Sequence, residues 1–265
     1  MRTLVENVAK VTAAHAALKE AIAAKGVAVP DGAKLTDMPA LVRQISTEPV
    51  QTYPRASFAG DISANIVVPK TLVVADVTTE TNMSYFFTYC NSLTSLTLPE
   101  GFGQAATNLR GCFMSCKSLT SLTLPEGFGQ AAKIIDDFVS LCTSLTSLTL
   151  LEGFGQAAER MYNTFAYCKS LTSLTLPEGF GQNSTLNLNC FVNCTSLTTI
   201  TGNPNFKVSL DLSNSTKLTH DSLMVVINGL QTVTTKQTLT LGSTNLAKLT
   251  DDEKKVATDK GWTLA

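Results

Sequence analysis

The sequence predicts an α/β solenoid of 26-residue units with a parallel β-sheet on one face, preceded by an N-terminal helical segment. Three observations lead to that reading. Five cysteines, Cys90, Cys116, Cys142, Cys168 and Cys194, recur at a constant spacing of 26 residues. The stretches they open are near copies: CNSLTSLTLPEGFGQAATNLRGCFMS, CKSLTSLTLPEGFGQAAKIIDDFVSL, CTSLTSLTLLEGFGQAAERMYNTFAY and CKSLTSLTLPEGFGQNSTLNLNCFVN. Inside each copy the leucines keep one spacing, Leu93-x-x-Leu96-x-Leu98, repeated at Leu119, Leu122 and Leu124. Self-similarity at a fixed period marks an array of stacked units rather than a single globule. The chain divides accordingly into an attachment or oligomerisation segment (1–46), a linker (47–65), the repeat array (66–206) and a C-terminal αβ cap (207–265).

Each element of the unit follows from residue type. The L-x-x-L-x-L spacing is the strand of leucine-rich repeats. Alternation along a strand sends Leu96 and Leu98 inward and Ser95 and Thr97 outward. Pro99 ends the strand because it has no N–H for a ladder. Gly101 and Gly103 permit a sharp turn around Phe102, a second core residue. The return segment then brings Ala105, Leu109 and Phe113 to the core ahead of the next cysteine. In the third unit the aromatic slips one place, to Phe138, and Val139 takes the usual slot. A fifth unit opens as CTSLTTITGNPNF at Cys194 and then departs, and residues 66–89 read as a degenerate opening unit. No unit buries enough apolar surface to offset its own ordering entropy, so units must stack and be capped.

The run Leu-Thr-Ser-Leu-Thr-Leu-Pro, a Phe three residues before Cys, and Cys followed by x-Ser-Leu resemble the BspA-type leucine-rich repeats of bacteria over about residues 66–206. The resemblance implies a leucine-rich-repeat fold and a role in surface recognition and adhesion, and it supplies no catalytic motif. The 26-residue unit is longer than the family's usual one, a difference expected at the turn opposite the strand.

At the N-terminus, Leu4, Val8, Val11, His15, Leu18 and Ile22 alternate steps of four and three over residues 1–24. That is a heptad seam with one polar position, open to two readings: a helix packed on its own chain, or a short coiled coil that makes the protein a homo-oligomer. A short helix is expected from about Asp37 to Ile45. KGVAVPDGAKLTDMPALVRQI resembles N-terminal attachment segments of phage tail and fibre proteins. The closing stretch resembles the ends of repeat proteins from prophages of gut Bacteroidetes. Physically, that stretch predicts a helix over 220–230 and a strand over Thr238–Leu241. Thr250 and Glu253 make a capping box for a helix stopped by Gly261, and Trp262 lies in a last strand.

Composition narrows the function. Twenty basic residues nearly cancel 21 acidic ones, which argues against nucleic acid, whose binding needs a basic stripe. No apolar run approaches the ~20 residues of a membrane-spanning helix, and the N-terminus does not read as a signal peptide. The seven cysteines form no C-x-x-C pair, and His15 and His220 lie outside the array, so no zinc site is expected. The ladder cysteines are expected as reduced, buried thiols. Glu100, Glu126, Glu152 and Glu178 form a column of like charge, screened by solvent or bridged by a cation. The outward Ser and Thr columns are either a solvated sheet face or a hydroxyl platform for glycans or ordered water. No cofactor is expected, and no acid, base or nucleophile cluster marks an enzyme.

The copies disagree in one place, the stretch just before each cysteine. The candidate binding residues there are Tyr85, Tyr89, Arg110, Met114, Asp136, Asp137, Tyr162, Asn163, Tyr167, Asn189 and Asn193. Variation on a fixed scaffold suits a recognition face, and exposed tyrosines suit an interface. The expected partner is a bacterial surface protein or glycan. The reading is a non-catalytic recognition protein, displayed at a virion surface as a phage tail or fibre subunit. The alternatives are a BspA-type cell-surface adhesin and a structural decoration protein in which the repeat is a spacer.

Overall fold

The computed structural model describes residues 80–98, 100–185 and 189–265. The predicted heptad seam, the short helix at 37–45, the linker and the first part of the opening unit lie outside those residues.

Five short strands carry the repeat: β1 (Ser95–Thr97), β2 (Ser121–Thr123), β3 (Ser147–Thr149), β4 (Ser173–Leu176) and β5 (Thr199–Gly202). All pair in parallel with a register of one unit, Ser95 against Ser121 and Ser147 against Ser173. The predicted alternation holds, with Leu122 and Leu148 buried between exposed Ser and Thr. Between β2 and β3, where strand pairing lapses, the Thr146 N–H still donates to the Thr120 carbonyl at 3.4 Å. On the opposite side, bridges link Asn82, Asn108, Ile134 and Arg160 in succession. Among the described residues every helix lies after residue 219. The described part of the repeat is therefore strand and turn, and the described helices belong to the C-terminal segment.

The core is a set of side-chain columns. Phe102, Phe128 and Phe154 stack face to face with centroids 6.3 Å apart. A second column, three residues before each cysteine, holds Phe87, Phe113, Val139, Phe165 and Phe191, all buried. The residue before it reads Phe86, Cys112, Phe138, Thr164, Cys190. In the third described unit the large Phe138 accompanies the small Val139, whereas Cys112, Thr164 and Cys190 accompany Phe. The slip seen in the sequence is thus a volume exchange, and Phe138 fills the gap by packing 5.3 Å from Phe113 and 5.1 Å from Phe154. One expectation is corrected. Ala106, Ala132 and Ala158 enter the core, while Ala105 stays partly exposed. After two left-handed glycines (Gly101 φ 80°, Gly103 φ 69°) the chain turns inward one residue later than strand alternation suggests.

Polar ladders tie unit to unit. The thiols of Cys116, Cys142, Cys168 and Cys194 donate to the carbonyls of Phe87, Phe113, Val139 and Phe165, at 3.0 to 3.2 Å. A buried thiol is thus small enough for the column and still satisfies a carbonyl of the preceding coil. Hydroxyls do the same at the edge of the sheet, Thr120 to the Thr94 carbonyl at 2.8 Å and Thr172 to Thr146 at 3.0 Å. Gln104, Gln130 and Gln156 reach the carbonyls of Glu126, Glu152 and Glu178.

Beyond the repeat, β6 (Leu210–Asp211), β7 (Gln237–Thr240) and β8 (Trp262–Leu264) form a parallel sheet. Around it lie α1 (His220–Asn228), α2 (Gly242–Leu246) and α3 (Asp251–Asp259). The predicted helix at 220–230 ends two residues early, at the Gly229 cap. The capping box of Thr250 and Glu253 forms as expected. Gly261 (φ 86°) follows the end of α3, and Trp262 begins β8. Strand β6 and helix α2 were not anticipated. Asn245 on α2 is buried and donates to the carbonyls of Leu212, Ser215 and Leu241, which pins the helix to the end of the sheet.

Candidate binding face

The return segment is built from a repeating backbone event. Five residues before each ladder cysteine the chain turns left-handed, at Tyr85 (φ 58°), Gly111 (57°), Asp137 (54°), Asn163 (53°) and Asn189 (64°). One residue before each cysteine it does so again, at Tyr89 (59°), Ser115 (61°), Leu141 (63°), Tyr167 (61°) and Asn193 (58°). The inter-coil bonding carries this geometry. The N–H of Tyr89, Ser115, Leu141 and Tyr167 donates to the carbonyl of Met114, Ser140, Ala166 and Val192, at 2.8 to 2.9 Å. Tyr85, Gly111 and Asp137 bond likewise to Arg110, Asp136 and Tyr162, at 2.7 to 2.8 Å. Apart from Gly111 and Ser115, which are buried, the residues at these left-handed positions are exposed or half-buried.

Left-handed backbone suits Gly, Asn and Asp, and costs other L-residues about 1–2 kcal/mol. The column at Gly111, Asp137, Asn163 and Asn189 follows that preference. The column at Tyr89, Leu141 and Tyr167 does not. Bulky apolar residues stand there in strained backbone and face outward. Among the described residues the large hydrophobic side chains left exposed are Tyr85, Tyr89, Leu141, Tyr162 and Tyr167, between 36% and 51% accessible. All five lie on this face.

The predicted site residues separate into two groups. Tyr85, Tyr89, Arg110, Tyr162, Tyr167 and Asn189 are exposed, and Met114, Asp137, Asn163 and Asn193 are half-buried. Together they line the return face. Asp136 does not belong with them. It is 1% exposed, and its carboxylate accepts from the Arg160 guanidinium at 2.6 Å and the Tyr162 N–H at 3.0 Å. It is a structural anchor that fixes the neighbouring coil, a correction to its place among the binding residues. Leu141 is the surface residue that sequence reasoning left out of the site.

Several of these side chains are held in place. An atom added as Cβ to Gly111 would lie 2.6 Å from the Tyr85 ring, so the ring rests on that glycine. The Arg110 guanidinium stands 5.8 Å from the ring centroid, within cation–π range. Burial raises the Asp137 carboxyl above its usual range, against the hydrogen bond from Asn163 and the charge of Arg110.

The other candidate chemistries are placed as follows. Burial raises the thiols of Cys112, Cys168 and Cys190, and pushes Cys194 to about 12. Contact with Cys142 raises Cys116. Such thiols are poor nucleophiles. His220 sits between Glu253 (2.8 Å) and Asp221 (3.3 Å) in the C-terminal segment. Among the described residues no group of three or more His, Cys, Asp and Glu side chains could hold a metal ion. Nor is any described helix long and apolar enough to cross a membrane. Glu126, Gln130, Glu152 and Gln156 are among the residues that line a surface groove.

No curated protein and no solved structure matches the chain. A match is found to the BspA type leucine rich repeat region, in six copies over residues 80–219, more than half of the sequence. The strand spacing, the parallel register and the cysteine column all fall within that span, and the chain belongs to the BspA type leucine rich repeat family.

Proposed function

We propose that the protein is a non-catalytic recognition or adhesion protein that binds through its return face. In this reading the stacked units form one solenoid, whose job is to hold that face rigid. The observation that carries it is the confinement of every large exposed hydrophobic side chain among the described residues to the return segments. Four of them, Tyr85, Tyr89, Leu141 and Tyr167, occupy strained left-handed positions, where Asn or Gly would fit at less cost. A partner that covers these side chains would account for that choice. The absence of a catalytic role is supported by the chemistry of the groups described: raised, buried thiols and a histidine engaged in two ion pairs.

Display on a virion, as a phage tail or fibre subunit held by an oligomeric N-terminus, is the setting we favour. It rests on the heptad seam of residues 1–24 and the likeness of residues 25–45 to phage attachment segments. A cell-surface adhesin is the second reading, favoured by membership of the BspA type family. Mass measurement of the full chain in solution separates them. A trimer or dimer is expected for the virion reading, and a stable monomer overturns it. Binding to a panel of whole bacterial cells tests recognition itself. Binding should fall at least tenfold when Tyr85, Tyr162 and Tyr167 are changed to Ser. Binding that is absent, or unchanged in that variant, overturns the return-face reading and leaves the repeat as a spacer.

A further inference from the structure

We infer that the return face takes a neutral oligosaccharide laid along the stack, an inference that rests on the recognition reading above. The two left-handed columns run side by side, each repeating at the 4.7–4.9 Å step of paired strands. One offers apolar and aromatic surface at Tyr89 and, beyond the buried Ser115, at Leu141 and Tyr167 on consecutive coils. The other offers planar polar groups on successive coils, Asp137, Asn163 and Asn189, beginning from the Tyr85 ring. A pyranose has the matching chemistry: an apolar C–H face that packs on an aromatic ring, and rim hydroxyls that both donate and accept. Asn does both as well, and Asp accepts.

Two observations choose this ligand over a protein or an acidic polymer. Neither left-handed column carries a cation, and their one charge is the carboxyl of Asp137. The neighbouring Arg110 guanidinium is packed 5.8 Å from the Tyr85 ring centroid. A neutral ligand meets no opposing charge along the columns, whereas an anionic one meets Asp137 and no cation in either of them. The apolar side chains are also interrupted by Ser115 and by the polar column, so they do not form the continuous dry centre of a protein interface. The positioning is built in. Tyr85 rests on Gly111, so that ring has little rotamer freedom to lose on binding.

The test uses the full chain on an array of neutral linear oligosaccharides (glucans, mannans, galactans and their N-acetylated forms) beside sialylated and sulfated ones. Neutral members should bind. That binding should fall at least tenfold in an Asp137→Gly, Asn163→Gly variant, which keeps the left-handed backbone and whose melting temperature serves as the folding control. Gly111→Ala, which displaces the Tyr85 ring, should weaken the same members. Binding to no neutral saccharide, binding confined to acidic ones, or binding indifferent to these variants overturns the inference. Whole-cell binding tells which proposal has failed. If it survives periodate treatment of the cells and is lost on protease treatment, the ligand is a protein and only the saccharide inference falls.

Discussion

On the strand side of successive coils the outward residues read Ser121 and Thr123, Ser147 and Thr149, Ser173 and Thr175, letter for letter, the last pair half-buried. On the return side the left-handed columns read Tyr89, Ser115, Leu141, Tyr167, Asn193 and Tyr85, Gly111, Asp137, Asn163, Asn189, with only Gly111 and Ser115 buried. Both sides use inter-coil backbone bonds, so bonding does not explain the difference. The strand edge spends its side chains on the stack, as the Thr120 and Thr172 hydroxyls donate to the preceding coil at 2.8 and 3.0 Å. The left-handed columns are tied coil to coil through their backbone N–H groups, which leaves the side chains free to differ. One face is therefore fixed by the scaffold, and the other is open to specialisation at no cost to the ladder.

Changes at the core should strike both faces at once. Phe128→Ala opens a cavity where Phe102, Phe113, Phe138 and Phe154 converge within 6.4 Å. It should cost about 3–5 kcal/mol in chemical denaturation. Next in size is Asp136→Ala, which strands the Tyr162 N–H and releases Arg160. About 1–3 kcal/mol is expected, towards the low end because the guanidinium is half exposed and can turn to water. Tyr162 should shift with it, so this variant couples stability to binding.

The comparison is sharpest in the next pair. Thr172→Val removes a ladder hydroxyl and should cost about 0.5–1 kcal/mol with binding untouched. Tyr89→Asn with Tyr167→Asn places a favoured residue in left-handed backbone and should raise stability by about 0.5–1 kcal/mol per site while binding falls. Opposite signs in stability and binding are the mark of strain held for a partner. Equal loss of both would make the tyrosines packing residues.

The smallest effect is electrostatic and belongs to neither face. The hydrogen bond to Glu253, then that to Asp221, raises the His220 pKa above its ordinary 6.5. Its contribution is therefore complete below that value and lost as pH rises through the folded one. Glu253 is lowered from 4.5, first by the Thr250 N–H and then by His220, so its contribution is lost as pH falls through its folded value. The melting temperature of the chain should exceed that of His220→Ala by its widest margin between these limits, by a small amount because the pair is exposed.

Much of this was legible in the sequence because the repeat states it several times over. The inward leucines, the phenylalanine columns, the cysteine spacing and the Thr250–Glu253 box all follow from period and residue type. The exposure of the tyrosines was legible too, since they stand where copies disagree. Three things were not. Asp136 reads as one of two adjacent surface acids, and only its contact with Arg160, one coil away, reveals an anchor. Ala106 replaces Ala105 because glycine turns set the phase of the return segment. The left-handed columns did leave a signal: Gly111, Asp137, Asn163 and Asn189 share one position, the residue types that such backbone favours. That position could have been identified from the alignment of the units, and Leu141 with it, four residues further on.

The central claim is that the return face binds and the strand face carries. It is tested most directly by measuring whole-cell binding for two multiple variants of equal size and confirmed fold. One replaces Tyr85, Tyr89, Tyr162 and Tyr167 with Ser, and the other replaces Ser121, Thr123, Ser147 and Thr149 with Ala and Val. The account predicts at least a tenfold loss in the first and less than twofold change in the second. Loss in the strand-face variant, with binding retained in the tyrosine variant, would contradict it.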